Sequence, residues 1–174
     1  MPNTYTLISS NTLSSSAASV TFSSIPATYT DLVLKWSSRT STAAQPDMTI
    51  NYNGDSGTNY SRIEVYMSGT TVYNGSSANQ TSQYQTGAND RYDNTANTFS
   101  NGEIYIPNYL STGSRPIGRF NVAEDNSTSS FRAYVVAGAH LYRGSSAISS
   151  IVIAPASDTF AAGSSFYLYG IKNS

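Results

Sequence analysis

Residues 32–37 read Leu32-Val33-Leu34-Lys35-Trp36-Ser37, with a large apolar side chain at every second position. Successive side chains of a β-strand point to opposite faces of its sheet, so this alternation predicts a half-buried strand. We expect Leu32, Leu34 and Trp36 to share the face that lies in the core.

The same alternation appears in residues 48–53 and in residues 62–67. In the second of these segments, Ile63, Val65 and Met67 alternate with polar or charged residues. The pattern predicts that these three side chains are buried and that Glu64 lies on the solvated face of the strand.

Several other segments favour strands because they are rich in β-branched and aromatic residues. They are residues 5–9, 19–25, 98–106, 117–122, 131–137, 148–154 and 165–171. Turn residues separate them, and a Ser68-Gly69 pair is typical of a tight hairpin. Many short strands joined by such turns predict an all-β fold, an antiparallel β-sandwich of the jelly-roll kind.

The chain has 174 residues, and we expect a single β-sandwich domain over residues 1–174. Residues 1–18 are rich in Ser, Thr and Asn and are predicted to form an N-terminal arm. Residues 74–98 contain almost no aliphatic side chain, which predicts a long polar loop. Such a loop is either mobile and solvated or held by a neighbour. Because it buries little apolar area on its own domain, we expect other subunits to order it.

Composition excludes several classes of function. Charged residues make up 11% of the chain and the formal net charge is −1, so the positive surface needed for nucleic acid is missing. The absence of cysteine excludes disulfides, thiol catalysis and cysteine-type zinc sites. The sequence shows no secretory signal and no apolar run of the roughly 18 residues that a membrane helix needs. We therefore expect a soluble protein, made in a cytoplasm, that binds neither nucleic acid nor membrane.

Few residues are suited to catalysis. The one histidine, His140, lies among small apolar residues, which is typical of a half-buried structural side chain. Glu64 and Glu103 occupy predicted polar strand faces, and Glu124 follows a strand in a predicted turn. No two of these resemble the paired carboxylates of a glycosidase. The sequence therefore predicts no enzyme.

Two acidic segments are explained without a ligand. Asp90 and Asp93 flank Arg91, where local ion pairing accounts for them. Residues 51–57 superficially resemble a calcium-binding loop, but they lack its dense set of acidic ligands. We predict a turn there, and no metal or other cofactor.

Tyrosine is the one residue type whose excess points to a function, with 14 copies in the chain. Its large ring and polar hydroxyl suit contacts with proteins and sugars. Tyrosines within predicted strands are explained by packing. The better interface candidates lie at strand ends or in loops, and they are Tyr73, Tyr84, Tyr92 and Tyr109.

Four blocks of the sequence resemble small virion proteins of tailed bacteriophages, cyanophages among them. The blocks are residues 23–34, residues 50–60, Glu103-Ile104-Tyr105-Ile106-Pro107-Asn108-Tyr109 and Phe166-Tyr167-Leu168-Tyr169-Gly170-Ile171-Lys172-Asn173. Proteins of this kind include capsid cement or decoration proteins, which are often trimeric. No catalytic residue comes with the resemblance.

The resemblance implies a non-enzymatic homotrimer on the capsid surface of the virion, made in the host cytoplasm. It would bridge subunits of the major capsid protein, so that many weak contacts must break together. The alternative is a tail-associated module that binds a host glycan through aromatic and amide side chains. A glycan hydrolase is a more remote third hypothesis.

Overall fold

The alternating segments form β-strands that pair into two sheets. The computed structural model describes residues 4–42, 47–68, 70–123 and 134–172, and within these ranges it contains twelve strands and no helix. Within the same ranges, therefore, no helix is present that could cross a membrane. The strands are β1 (Tyr5–Thr12), β2 (Val20–Phe22), β3 (Asp31–Ser38), β4 (Met48–Tyr52), β5 (Tyr60–Ser68), β6 (Thr71–Gln80), β7 (Gln83–Gln85), β8 (Ser100–Ile106), β9 (Arg115–Ala123), β10 (Tyr134–Tyr142), β11 (Ile151–Pro155) and β12 (Ser165–Ile171).

Eight strands form a large sheet in the order β1-β12-β3-β8-β9-β10-β5-β6, and four form a small sheet in the order β2-β11-β4-β7. The strand pairs in both sheets are antiparallel. One hydrophobic core joins the sheets, with Leu34 and Ile104 from the large sheet against Ile50 and Ile153 from the small one. The predicted all-β sandwich is confirmed.

The buried face predicted for residues 32–37 is confirmed as well, although Val33 on the opposite face is also buried. Leu32, Leu34 and Trp36 are buried on the core face of β3. The indole Nε1 of Trp36 donates a hydrogen bond to the carbonyl oxygen of Ala88, at 2.9 Å. Gly102 lies against the same ring, where an added Cβ would be only 2.2 Å from a ring carbon. Trp36 therefore connects the core to the segment that follows β7.

The prediction of which side chains of β5 face the interior is wrong. Ile63, Val65 and Met67 are exposed, by 64% in the case of Ile63, whereas Glu64 is only 3% exposed. β5 is the second strand from the end of the large sheet. There the inner face is covered by β7 and the residues after it, which present polar groups rather than apolar side chains.

The polar segment 74–98 is not one loop. Residues 74–80 belong to β6 and residues 83–85 form β7. Ala88, Asn89 and Asp90 beyond them are buried against their own domain. The prediction of one long loop is wrong because an exposed edge strand such as β6 needs no aliphatic side chains. Hydrogen bonds from Arg39 order the residues after β7.

The N-terminal arm contains a strand. Within the described part of residues 1–18, β1 pairs with β12 at the edge of the large sheet, and most of its side chains are exposed. The hairpin predicted at Ser68-Gly69 is supported by the pairing of Ser68 with Thr71, although Gly69 itself lies outside the described residues. The first three residues of the strand predicted over residues 131–137 also lie outside the described residues, as does Glu124.

Replacing Trp36 by alanine should destabilise the fold severely. Loss of a buried indole leaves a cavity and typically costs about 3–5 kcal/mol. Denaturant unfolding of Trp36→Ala measures this cost. Tyr92→Ala, which removes an exposed ring, is the matched control and should change stability little. Equal unfolding midpoints for the two variants would contradict the core assignment of Trp36.

Candidate interaction surface

A buried ion pair lies on the inner face of the large sheet. Glu64 Oε2 is 2.7 Å from Arg119 Nη1, and both side chains are almost completely buried. The other carboxylate oxygen, Oε1, is 2.9 Å from Arg62 Nη1 and also accepts a hydrogen bond from the Thr86 hydroxyl. The prediction that Glu64 is solvated is therefore wrong.

The partners of Arg119 come from two sides. Its Nη2 donates to the side-chain oxygen of Asn121, on the same strand, and to the carbonyl oxygen of Thr86, beyond β7. Burial lowers the pKa of Arg119 to about 10, against the opposing effect of Glu64. Because that pKa is still well above neutral, the guanidinium stays charged and Glu64 has a cationic partner.

His140 lies beside this pair, on the inner face of β10. Burial lowers its pKa to about 3, and the positive charges of Arg119 and Arg62 contribute in the same direction. The imidazole is therefore neutral at physiological pH. Neither ring nitrogen has a hydrogen-bond partner among the described residues. His140 is more deeply buried than the half-buried side chain that was predicted.

The orientation of Glu64 determines what the other face of β5 presents. Because side chains alternate, Ile63, Val65 and Met67 point outward. The register places Val65 opposite Ala137 of β10, which in turn lies opposite Phe120 of β9. We call the apolar outer surface of β5, β6, β9 and β10 the outer face. Its large members are Ile63, Val65, Met67, Val72, Phe120 and Val135, each between 42% and 64% exposed.

The large members of the outer face carry no charge. Val65, Met67, Val72 and Val135 line a shallow depression of about 260 Å³. On β3 and β8, farther along the same surface, Lys35 Nζ lies 3.1 Å from Glu103 Oε2 in an exposed ion pair. Exposed apolar patches of a few hundred Å² are often functional in soluble proteins. The outer face is therefore the candidate interaction surface.

The four tyrosines proposed for an interface do not come together. Tyr109 is wholly buried, with its hydroxyl donating to the carbonyl oxygen of Pro26, so its assignment to an interface is corrected. Tyr84 is half-buried and donates to Asp47 Oδ2 at 2.6 Å. Its pKa is raised, first by burial and then by Asp47. Tyr73 and Tyr92 are exposed at separate places.

No sequence signal identified the outer face in advance. Alternation shows which side chains share a face of a strand, but it does not show which face is covered. Ile63, Val65 and Met67 were recognised as one set and assigned to the wrong side.

Arg39 holds the segment that follows β7. Its guanidinium donates to the carbonyl oxygens of Tyr92, Asn94, Thr95 and Thr98, at 2.7–3.0 Å. Four carbonyl groups directed at one cation keep the segment in place without an apolar contact. The expectation that neighbouring subunits order these residues is therefore not needed.

The acidic groups of this segment separate into two roles. Arg91 Nε lies 3.0 Å from Asp93 Oδ1, as local ion pairing predicted. Asp90 instead is buried and lies 3.8 Å from Arg39 Nη1. Thr98 also donates to it, at 2.5 Å.

Residues 53–57, which follow the end of β4, form a turn, as predicted. The carboxylate of Asp55 accepts hydrogen bonds from the backbone N–H of Gly57 and the side chains of Asn59 and Tyr142. Across the part of the chain that the structure describes, no group of three or more His, Cys, Asp or Glu residues is placed to hold a metal ion.

No family model matches the sequence, and no curated protein matches it. Among solved structures, the chain is similar to the crystal structure of Caenorhabditis elegans galectin LEC-6. The two are 11% identical, the similarity covers 99% of each chain, and the TM-score is 0.33.

Removing the guanidinium of Arg39 should release the segment after β7. In the intact protein we expect trypsin to cut slowly after Arg91, because its neighbours are fixed. Arg39→Met should speed that cleavage at least tenfold (an order-of-magnitude expectation for loss of several hydrogen bonds). Arg143→Met, which removes an arginine that contacts Thr58 and Asn79 instead, is the control. Equal cleavage rates in the two variants would show that Arg39 does not hold the segment.

Removing one partner of the buried ion pair should lower the free energy of unfolding more than removing both partners together. Arg119→Met leaves the buried Glu64 carboxylate without its closest cation, which typically costs about 3–5 kcal/mol. The double variant Glu64→Leu/Arg119→Met removes both charges and should recover most of that loss. Denaturant unfolding of both variants tests this. A double variant less stable than Arg119→Met would contradict it.

Proposed function

We propose that this chain is a non-enzymatic structural protein of a phage particle, which decorates the capsid by binding the major capsid protein through its outer face. The observation that carries the proposal is the exposure of six large apolar side chains on one uncharged sheet surface. The resemblance of the sequence to virion proteins supports the same setting.

The outer face is large enough to contribute to a protein interface. Covering roughly 500 Å² of apolar surface, at about 25 cal/mol per Å², contributes on the order of 10 kcal/mol before the costs of association. The partner that fits is another apolar protein surface, because a charged surface would lose its hydration against Val65, Met67 and Val135 without gaining an ion pair.

The scarcity of charge also suits a protein that bridges several neighbours. Each contact then desolvates few ions, so several modest apolar contacts add up. In this arrangement a decorating protein stabilises the capsid because its contacts with adjacent subunits must all break together.

Carbohydrate binding is the second candidate function, and a specific feature favours it. Phe120 and Tyr105 line a depression of about 240 Å³ together with Glu103. An adjoining depression of about 310 Å³ is lined by Phe120, Lys35 and Asn101, among others. Aromatic faces beside hydrogen-bonding groups are the usual lining of small-ligand sites.

The capsid proposal is tested on purified particles of the phage that encodes the chain. Quantitative mass spectrometry should find hundreds of copies per particle, as expected for a lattice decoration. Val65→Lys changes an exposed position, so the variant should fold normally and yet be lost from the particles at least tenfold. Thr21→Lys, on the outer side of the small sheet, is the matched control and should be retained.

Two outcomes would overturn the capsid proposal. One is absence of the chain from purified particles, and the other is retention of Val65→Lys at the level of the control. A few copies per particle, together with glycan binding that Phe120→Ala abolishes, would instead establish the carbohydrate-binding module.

A further inference from the structure

Strand β6 forms a long edge of the large sheet. It spans ten residues and pairs with β5 on one side, and among the described strands none pairs with its other side. Nearly all of its side chains are exposed. An unpaired strand edge presents backbone N–H and C=O groups that readily pair with another strand.

Most of the usual protections of an edge are missing from β6 between Thr71 and Ser77. Soluble proteins block such edges with Lys or other charges, with Pro, with bulges, or with very short strands. The sequence of β6, Thr-Val-Tyr-Asn-Gly-Ser-Ser-Ala-Asn-Gln, contains neither a charged residue nor proline. Its pairing with β5 is regular from Thr71 to Ser77, with one irregularity beyond Ser77.

The other edges differ from β6. At the opposite edge of the large sheet, β1 carries an irregularity between Leu7 and Ser9, in the middle of the strand. The outer strands of the small sheet, β2 and β7, have three residues each. Among the described strands, β6 therefore offers the longest regular edge.

We propose that two copies of this chain pair antiparallel along β6, about a two-fold axis at Asn74, and so join their large sheets into one continuous sheet. We assign the edge to a second copy because the residues that face each other about this axis carry no charge and complement each other in size. An axis at Asn74 places each residue opposite one at the same distance beyond the axis.

The side chains brought together by this register suit one another. Val72 lies opposite Ser76 of the second copy, Thr71 opposite Ser77, and Tyr73 opposite Gly75, so that each larger side chain meets a smaller one. Thr and Ser form favourable cross-strand pairs. The two Asn74 amides meet at the axis, where each donates to and accepts from the other.

Charge permits the same pairing. Since β6 carries no charge, the two-fold axis brings no like charges together. Val72 also belongs to the outer face, so pairing makes the apolar surfaces of the two copies continuous across the axis. This inference concerns the free protein and stands whether or not the chain decorates a capsid.

Single cysteines test the register, because the chain has no cysteine of its own. In antiparallel pairs the two Cα atoms lie about 4.5 or 5.5 Å apart, and both values allow a disulfide. Asn74→Cys should therefore form a covalent dimer on mild oxidation. Ser76→Cys lies on the same face of the same strand, but its two sulfurs would be separated by about four residues, or roughly 13 Å. It should stay uncrosslinked, as should Ser10→Cys on the edge strand β1.

The mass of the unmodified protein, measured by sedimentation equilibrium, provides an independent test. We expect a dimer or an even-numbered assembly, and Asn74→Lys should weaken its association by roughly tenfold or more, because it places two like charges opposite each other at the axis. Phe120→Lys, on the outer face but three strands away from β6 in the sheet order, should leave the β6 pairing intact, which separates this proposal from the capsid proposal. A monomer, a closed trimer, or crosslinking of Ser76→Cys as fast as Asn74→Cys would overturn it.

Discussion

The buried ion pair between Glu64 and Arg119 sets the orientation of β5, and the character of one whole side of the molecule follows from that orientation. A carboxylate in the interior is tolerable only with a cation and hydrogen bonds close by. Arg119, Arg62 and Thr86 supply them. Since side chains alternate along a strand, satisfying Glu64 inside places its apolar neighbours outside. The apolar side chains of β5 are thus exposed because the charged side chain between them is buried.

Much of the fold was predictable from the sequence, because it depends on local patterns. The alternation around Trp36 identified a core strand and its buried face correctly, and turn residues marked the joints between strands. Antiparallel pairing and the sandwich follow from many short strands without helices. These features need only period-two hydrophobicity and turn chemistry, both of which are local.

The interaction surface was not predictable in the same way, because it depends on what covers each face. For β5 the cover is the polar segment after β7, which hydrogen-bonds to Glu64 and Arg119 from a distant part of the sequence. The prediction that Tyr109 lies at an interface is wrong for a related reason, since a residue that follows a strand can still turn inward and pack in the core. Arg39 shows a further limit, because its contacts with backbone carbonyl groups leave no signature in the residues that it holds.

The pairing of β1 with β12 has a consequence for how the protein folds. β12 lies between β1 and β3 in the large sheet, although it comes last in sequence among the described strands. During synthesis, β1 and one edge of β3 therefore stay unpaired until Ser165–Ile171 has been made. Contacts between such distant segments form slowly, because a long stretch of chain must be closed into a loop first. The β5–β6 hairpin joins two strands that are consecutive in sequence, so it can form early at the opposite end of the same sheet.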